Sequence, residues 1–136
     1  MEDCLFCKII NGEVPSEKVY EDDKFFAFLD INPVTPGHTL VVPKKHSYNV
    51  LDTDEDVLCE LGRILKKISK AVTSGMGIES FNLNQNNGEI SGQVIPHLHW
   101  HVIPRYADDG LRLWPGKPYD EGEAEKVAEK IKSSIN

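Results

Sequence analysis

Hydrophobic residues recur along the chain at two spacings, one typical of helices and one typical of strands. Between residues 53 and 74 they return every three or four positions, which predicts one long helix with Thr53 as its N-cap and Gly75 as its end. The apolar stripe of this helix consists of Val57, Leu58, Leu61, Ile64, Leu65, Ile68 and Val72. A weaker pattern of the same spacing predicts a second helix over residues 123–131.

Short runs rich in aromatic and β-branched residues predict strands. Residues 18–21 and 25–29 form a predicted hairpin, residues 38–42 a strand that ends at Pro43, and residues 78–83 a further strand. A short turn or helix over residues 4–10 precedes them. The loop over residues 30–37 contains two strong turn signals, so we expect it to line a pocket.

Three histidines occupy alternate positions after a loop of amides and glycines over residues 84–93. They are His97, His99 and His101. Successive side chains of a strand point to opposite faces, so a strand here presents the three imidazoles together. Leu98, Trp100 and Val102 then form an apolar stripe on the other face.

These elements predict one α+β domain over residues 1–136. Its strands give a mainly antiparallel five-stranded sheet, accompanied by one long helix and a C-terminal helix. A chain of 136 residues with 40% hydrophobic content is long enough to bury one core. Regular alternation of strands and helices is missing, which argues against a doubly wound parallel sheet.

The charge of the chain limits the classes of partner that it is expected to bind. A formal net charge of −7 argues against general nucleic-acid binding, which needs a basic surface, so any contact with phosphate is expected to be local. No apolar run approaches the roughly 18 residues of a membrane span, and the start of the chain lacks the positive charges of a signal peptide. We therefore expect a cytoplasmic protein with no membrane partner.

The histidine row has three interpretations. It forms an exposed edge strand, it binds a metal ion such as Zn²⁺, or it carries a nucleophile. A neutral imidazole is a good nucleophile at phosphorus near neutral pH. The sequence has neither a Walker loop nor an acidic cluster spaced for Mg²⁺, so we expect no magnesium requirement.

At the histidine row the chain resembles the histidine triad superfamily of nucleotide hydrolases and transferases. Residues 97–103 match its alternating pattern of histidine and hydrophobic positions. Further blocks at residues 28–33, 36–46, 86–88 and 92–93 resemble the nucleotide-binding segments of the family, so the resemblance covers about residues 4 to 105. The branch of histidine triad nucleotide-binding proteins, in its bacterial or archaeal cysteine-containing form, is the most similar.

This resemblance implies roles for individual residues. His99 attacks the α-phosphorus and forms a nucleotidyl-histidine that water resolves. His101 and Gln93 contact the α-phosphate, and Asn86 helps to hold it. Asp30 accepts hydrogen bonds from the ribose hydroxyls, with Ile31 beside it in the substrate site. His38 also belongs to the family pattern, where it either supports the site indirectly or has a structural role.

The implied substrate is a purine nucleotide conjugate cleaved at the α-phosphate, of the nucleoside phosphoramidate or adenylated-amine type. A dinucleoside polyphosphate hydrolase with the same nucleophile is one alternative, and a nucleotide-binding regulator or scaffold is another. Val94 departs from the family pattern, because many relatives carry a serine or threonine there that contacts phosphate. This departure puts the preferred leaving group in question.

The resemblance also implies a homodimer in which the sheets of two subunits join across a two-fold axis. Residues 106–136 are a variable segment. Trp114, within this segment, either reaches toward the active site of the partner or packs as an ordinary loop tryptophan.

The pair Cys4 and Cys7 has three interpretations from spacing alone: a metal site, a redox pair, or two residues that happen to share a turn. In the cysteine-containing relatives such a pair binds a structural zinc ion together with two histidines. The matching residues here are His46 and His97, so the resemblance implies a closed site of two thiolates and two imidazoles. We expect Cys59 to be a buried or half-buried helix residue without a role.

Overall fold

The computed structural model describes residues 3–135 and shows a five-stranded antiparallel sheet in the order β1-β2-β3-β5-β4. The strands are β1 (Lys18–Glu21), β2 (Phe25–Leu29), β3 (Thr39–Pro43), β4 (Ser80–Gln85) and β5 (Trp100–Arg105). The helices are α1 (Leu5–Ile10), α2 (Glu55–Met76) and α3 (Glu123–Ser133). The predicted α+β class with a five-stranded antiparallel sheet is confirmed. Residues 1, 2 and 136 lie outside the described part, and a single domain over 1–136 stays a prediction.

Helices cover the sheet on both faces, and in the strands β2 and β3 successive residues are buried on both sides of the sheet. The long helix α2 packs its stripe, which includes Leu61 and Ile68, against Phe25, Val41 and Val102. The opposite face carries a second apolar cluster with the short helix α1. Its buried members are Cys4, Phe6, Ile9, Phe26, Phe28, Leu40 and Val42.

The long helix begins and ends one to two residues later than predicted. Its N-cap is Asp54, while the hydroxyl of Thr53 donates a hydrogen bond to the carbonyl oxygen of Asn49 at 2.7 Å. Gly75 lies inside the helix, and Gly77 ends it at a φ of 65°. A helix end of this type needs a left-handed residue after the last turn, and only Gly77 occupies that position.

Three strands are displaced along the sequence from their predicted bounds. Strand β3 begins after His38 and includes Pro43, which pairs with Phe25. Strand β4 starts later than predicted because the end of α2 uses Ile78. His97 and His99 precede β5, since the backbone N–H of Leu98 donates to Ser47 at 2.8 Å instead of to a neighbouring strand.

The chain leaves one sheet edge and its C-terminal segment without apolar cover. Strand β4 is an edge strand, and the side chains of Phe81 and Leu83 are 37% and 41% exposed. The predicted second helix exists as α3, but it buries none of its side chains.

Cys59 is exposed, so the expectation of burial was wrong: it lies outside the stripe that faces the sheet. Among residues 3–135, no helix combines the length and apolar character needed to cross a membrane.

Candidate active site

A cavity of about 330 Å³ lies between α1 and the sheet. The predicted loop after β2 lines it with Asp30 and Ile31, as expected, and the histidine segment lines it with His99 and His101. Most of the remaining wall is apolar. That wall includes Leu5, Phe6, Ile9, Phe28, Leu40 and Ile95. The cavity therefore combines an apolar compartment with a polar end, an arrangement common to small-molecule sites.

His99 is fixed in one protonation pattern by the main chain. Its side chain is 6% exposed, and its Nδ1 lies 2.7 Å from the carbonyl oxygen of His97. A carbonyl oxygen only accepts hydrogen bonds, so Nδ1 carries the proton. The lone pair of the neutral ring is therefore on Nε2, the nitrogen that a nucleophile would use.

A second chain of contacts fixes His101 through His38. The backbone N–H of Val34 donates to Nδ1 of His38 at 3.1 Å, which places the proton of the neutral His38 ring on Nε2. That nitrogen lies 2.8 Å from Nδ1 of His101, so His101 carries its proton on Nε2. Asp30 Oδ2 lies 3.7 Å from His38, and its Oδ1 accepts from the backbone N–H of Asn32 at 2.8 Å.

Burial keeps these rings neutral near pH 7. It lowers the pKa of His38 and of His99 below the ordinary value of 6.5, although the charge of Asp30 opposes this in both cases. Burial, reinforced by the neighbouring His99 and His38, lowers the pKa of His101 to about 4. Neutral imidazoles with defined protons can act as nucleophile and as hydrogen-bond donor without a prior ionisation.

The predicted phosphate contacts are distributed differently from what the resemblance implies. Both amide hydrogens of Gln93 are engaged, by the carbonyl oxygens of Tyr48 at 2.7 Å and Ile95 at 3.2 Å. Its Oε1 accepts from the backbone N–H of Gly88 at 2.8 Å. The structure therefore does not support a phosphate contact by the Gln93 side chain, because its donors hold the loop instead.

Asn86 does not line the cavity, but its side chain lies next to Gly92, which does. A Cβ at Gly92 would lie 3.4 Å from the Asn86 amide nitrogen, an ordinary van der Waals contact, and the φ of 99° is what favours glycine at this position. Gly92 and Val94 line the cavity themselves. Residues of this loop therefore lie at the cavity surface, and the Asn86 side chain lies next to Gly92.

Four potential metal ligands converge beside α1. The sulfur and nitrogen atoms of Cys4, Cys7, His46 and His97 lie within 4.8 Å of one another. Nδ1 of His97 lies 3.4 Å from the sulfur of Cys4 and 3.6 Å from that of Cys7, and Nδ1 of His46 lies 3.4 Å from the sulfur of Cys7. The structure therefore brings together all four residues that the family resemblance assigns to the metal.

This donor set fits a zinc ion. Tetrahedral bonds of ordinary length to zinc place sulfur and nitrogen about 3.6 Å apart, close to the separations found. His97 donates its Nε2 proton to the carbonyl oxygen of Pro43 at 2.8 Å, which leaves Nδ1 free to ligate. Burial next to Cys4 raises the pKa of the Cys7 thiol to about 11, so a thiolate there requires a nearby cation.

Trp114 lies away from the histidine cavity of its own chain. It is 85% exposed and lines a separate groove of about 420 Å³ with Asn82, Asn84 and Arg105. Arg105 holds the start of this segment through a bidentate ion pair with Asp109, at 2.8 and 3.1 Å. Whether Trp114 meets a partner subunit stays a prediction.

Residues of α1 are the part of the site that the sequence did not reveal. Leu5, Phe6 and Ile9 supply cavity wall, yet the sequence interpretation gave this segment only its two cysteines. The apolar spacing of Phe6 and Ile9 is a helical signal, but six residues are too few to show which face meets a ligand.

A family model described as the HIT domain matches residues 11–108 of the chain. An adenosine 5'-monophosphoramidase of Schizosaccharomyces pombe is 37% identical over 97% of this chain and 98% of its own length. An adenylylsulfatase of Arabidopsis thaliana is 46% identical over 80% of this chain and 55% of its own length. Both relatives are named as hydrolytic enzymes, which confirms the prediction of an enzyme of this family.

Solved structures agree with this match over nearly the whole chain. A HIT family protein of Bacillus subtilis superposes with a TM-score of 0.90 and 38% identity, covering 98% of both chains. A zinc-bound histidine triad family protein of Mycobacterium smegmatis gives a TM-score of 0.77 and 31% identity, covering 98% of this chain and 99% of its own. The resemblance inferred from the sequence is therefore confirmed.

Proposed function

Because the chain belongs to the HIT domain family, we propose that it is a nucleotide hydrolase or nucleotidyl transferase that works through a covalent nucleotidyl-histidine. The proposed substrates are purine nucleotide conjugates of the phosphoramidate or adenylated-amine type. The observation that carries the proposal is the 2.7 Å contact of His99 Nδ1 with the His97 carbonyl oxygen. It leaves Nε2 of a neutral, buried imidazole as the nucleophilic atom at the cavity.

The proposed reaction has two steps. Nε2 of His99 attacks the α-phosphorus and forms a nitrogen–phosphorus bond. The bond from phosphorus to the leaving nitrogen breaks, and that nitrogen takes the electron pair and a proton from water, while Nε2–H of His101 donates a hydrogen bond to the transferring phosphoryl group. In the second step water attacks phosphorus, the bond to His99 breaks, and the proton of the attacking water is released to solvent. The contact with His38 keeps His101 oriented through both steps.

The lining of the cavity supports a nucleotide as the ligand. Its apolar compartment, bounded by Leu5, Ile9 and Leu40, suits a purine base. Asp30 keeps Oδ2 free of the loop hydrogen bond, so this oxygen can accept from ribose hydroxyls. Ile31, which is 86% exposed, covers the rim of the cavity.

The phosphate group then lies between His101 and the loop around Gly92. Among residues 3–135, the backbone N–H of Val94 has no hydrogen-bond partner, so we assign it to a phosphate oxygen. Gln93 acts as a positioning residue that holds this loop, and the Asn86 side chain lies next to Gly92. Val94 has no side-chain hydroxyl that could contact phosphate. In this assignment its main-chain N–H takes that role.

We assign a structural zinc ion to Cys4, Cys7, His46 and His97. When bound, it neutralises one buried and one half-buried thiolate and ties α1 to the histidine segment. The ligand set is complete without substrate or water, so the metal has no open position and the reaction has no step at the metal. His99 stays unligated.

We further propose a homodimer in which the two sheets continue across their β4 edges. An edge strand exposes unpaired backbone groups, and β4 adds the exposed side chains of Phe81 and Leu83. Trp114 lines a groove with Asn82 and Asn84 of this edge strand and would therefore lie near the partner. Sedimentation of the wild type and of Leu83→Asp tests the interface, with a shift from dimer to monomer expected for the variant.

Mass spectrometry of the intact protein tests the reaction class. A brief exposure to adenosine 5'-phosphoramidate followed by an acid-free quench should add one nucleotidyl group to the wild type and none to His99→Ala. An adduct that persists in His99→Ala would exclude His99 as the nucleophile.

Comparison of substrates separates the proposed activity from its alternatives. We expect a higher kcat/KM for the phosphoramidate than for a diadenosine polyphosphate, and the reverse order would assign the protein to polyphosphate hydrolysis. Tight binding of AMP without any covalent adduct from either substrate would instead indicate a nucleotide-binding regulator.

A further inference from the structure

Phe6 connects the metal ligands to the reactive histidine. It lies between Cys4 and Cys7 in sequence, and its ring is 4% exposed. The ring packs edge-to-face against two histidines: its centroid is 5.9 Å from that of His97 and 5.0 Å from that of His99. A third edge-to-face contact, with Phe28 at 5.3 Å, anchors it on the sheet. One side chain thus touches both a metal ligand and the proposed nucleophile.

The contact with Phe6 restrains a motion of His99 that its hydrogen bond leaves open. The bond from Nδ1 to the His97 carbonyl oxygen fixes one atom of the ring. Rotation about that point would still redirect Nε2. Phe6 lies perpendicular to the ring, at 89°, and His101 lies 4.9 Å away at 64°. These two neighbours define the plane of the ring and therefore the direction of the attacking lone pair.

The position of Phe6 depends in turn on the metal site. Helix α1 has six residues, and isolated helices shorter than about 12 residues are marginal in water. Its tertiary support consists of the packing of Phe6 and Ile9 and of the two cysteines in the ligand cluster. Loss of the metal would remove the attachment on both sides of Phe6.

We propose that Phe6 is a positioning residue through which the metal site controls the orientation of His99. The proposal rests on the function proposed above, because it takes His99 as nucleophile and zinc at the cysteine–histidine cluster. It has two measurable consequences. The chemical step depends on the Phe6 ring while the metal stays bound. A nucleotide that packs against the same ring in the cavity should also help to retain the metal, and by linkage the bound metal then favours nucleotide binding to the same extent.

The first test compares Phe6→Leu with Phe26→Leu in the zinc-loaded protein. Phe26 belongs to the same apolar cluster and is 5% exposed, but it lies in β2 and is absent from the cavity wall. Both variants remove an aromatic ring and keep an apolar side chain. For Phe6→Leu we expect kcat for the phosphoramidate to fall about tenfold with KM changed less than threefold, the scale of one aromatic contact. Phe26→Leu should retain kcat even where it lowers Tm.

The second test measures zinc release and needs no turnover. Transfer of zinc from the native protein to a chromogenic chelator is timed with and without saturating AMP. AMP should slow release about tenfold in the wild type and in Phe26→Leu, but less than threefold in Phe6→Leu. General stabilisation of the fold by AMP would slow release equally in all three proteins, provided that each is saturated.

The outcomes separate this proposal from the function on which it rests. An unchanged kcat in zinc-loaded Phe6→Leu, or zinc release that AMP does not alter in the wild type, overturns the role of Phe6 and leaves the enzyme assignment intact. A wild type that binds neither AMP nor zinc overturns the proposed function itself. If Phe6→Leu fails to fold, Phe6→Met, which keeps a long apolar side chain, takes its place in both tests.

Discussion

His97 and His99 are two residues apart, yet the structure prepares them for different chemistry. His97 donates its Nε2 proton to Pro43 at 2.8 Å and directs Nδ1 at two sulfurs. His99 donates its Nδ1 proton to the main chain at 2.7 Å and keeps the lone pair of Nε2. In each case one backbone carbonyl oxygen decides which nitrogen is available.

This difference shows how one repeated residue type serves two sites without cross-reaction. A metal site needs several lone pairs that converge on a point, and the sulfurs of Cys4 and Cys7 provide the charge. A nucleophile needs one lone pair directed at substrate and no competing cation. In the proposed arrangement His97 meets both needs, since its side chain offers Nδ1 to the metal and its carbonyl oxygen orients His99.

The largest expected effect comes from removing the nucleophile. His99→Ala should lower kcat by at least about 10⁴-fold, because no neighbouring group can replace its attack on phosphorus. Zinc content and Tm should stay close to those of the wild type, as measured by metal analysis and calorimetry. His97→Ala is the matched control from the other half of the pair and should lose zinc. Zinc loss in His99→Ala would abolish the distinction between the two histidines.

The next largest effect is expected at the proposed metal site. Replacement of both cysteines, Cys4→Ser with Cys7→Ser, should abolish zinc binding and lower the free energy of unfolding by about 3 kcal/mol, or roughly 10 °C in Tm. Calorimetry and metal analysis provide the readouts. Cys59→Ser serves as control, because this exposed cysteine on α2 contacts neither site. One zinc ion per chain in the double variant would show that the ligands are misassigned.

Long elements of the fold were predictable because each carries its own pattern. The stripe of α2 has the helical period that burial of one face produces, and the aromatic run of β2 is typical of a strand. Element ends were less predictable, since they depend on contacts between distant residues. Gly75 and Gly77 look alike in sequence, and only the register of the last helical turn selects Gly77 as the cap.

The site was predictable where a motif carries chemistry and less so where geometry decides. The grouping of His46 with the two cysteines and His97 followed from a family resemblance and is present in the structure. The resemblance could not show that the amide of Gln93 is occupied by Tyr48 and Ile95. Nor could it show the ring contacts of Phe6, because they arise only when α1 folds over the sheet.

A smaller effect is expected from the residue that fixes the tautomer of His101. His38→Ala removes the partner 2.8 Å from His101 Nδ1 and should lower kcat by roughly tenfold to a hundredfold. Its effect on KM and on zinc content should be small, because His38 contacts no metal ligand. His38→Gln, whose amide can donate to the same nitrogen, should recover part of the loss. Equal activity in His38→Ala and the wild type would make the contact purely structural.

The smallest effect concerns pH, and it follows from the burial of His101. Its pKa is lowered to about 4 by burial and by His99 and His38, against the charge of Asp30. The pKa of His38 is also lowered. If His101 is required in its neutral form, activity falls only when the ring becomes protonated. This happens as the pH falls through the pKa of the folded protein, well below the ordinary 6.5. We therefore expect kcat/KM to change less than threefold between pH 7.5 and about 5.5 on this account. Steady-state kinetics with the zinc content measured at each pH would separate this behaviour from metal loss. Because His99 must also be neutral and burial lowers its pKa too, a decline with an apparent pKa near 6.5 in fully zinc-loaded protein would contradict a lowered pKa of one of these two rings.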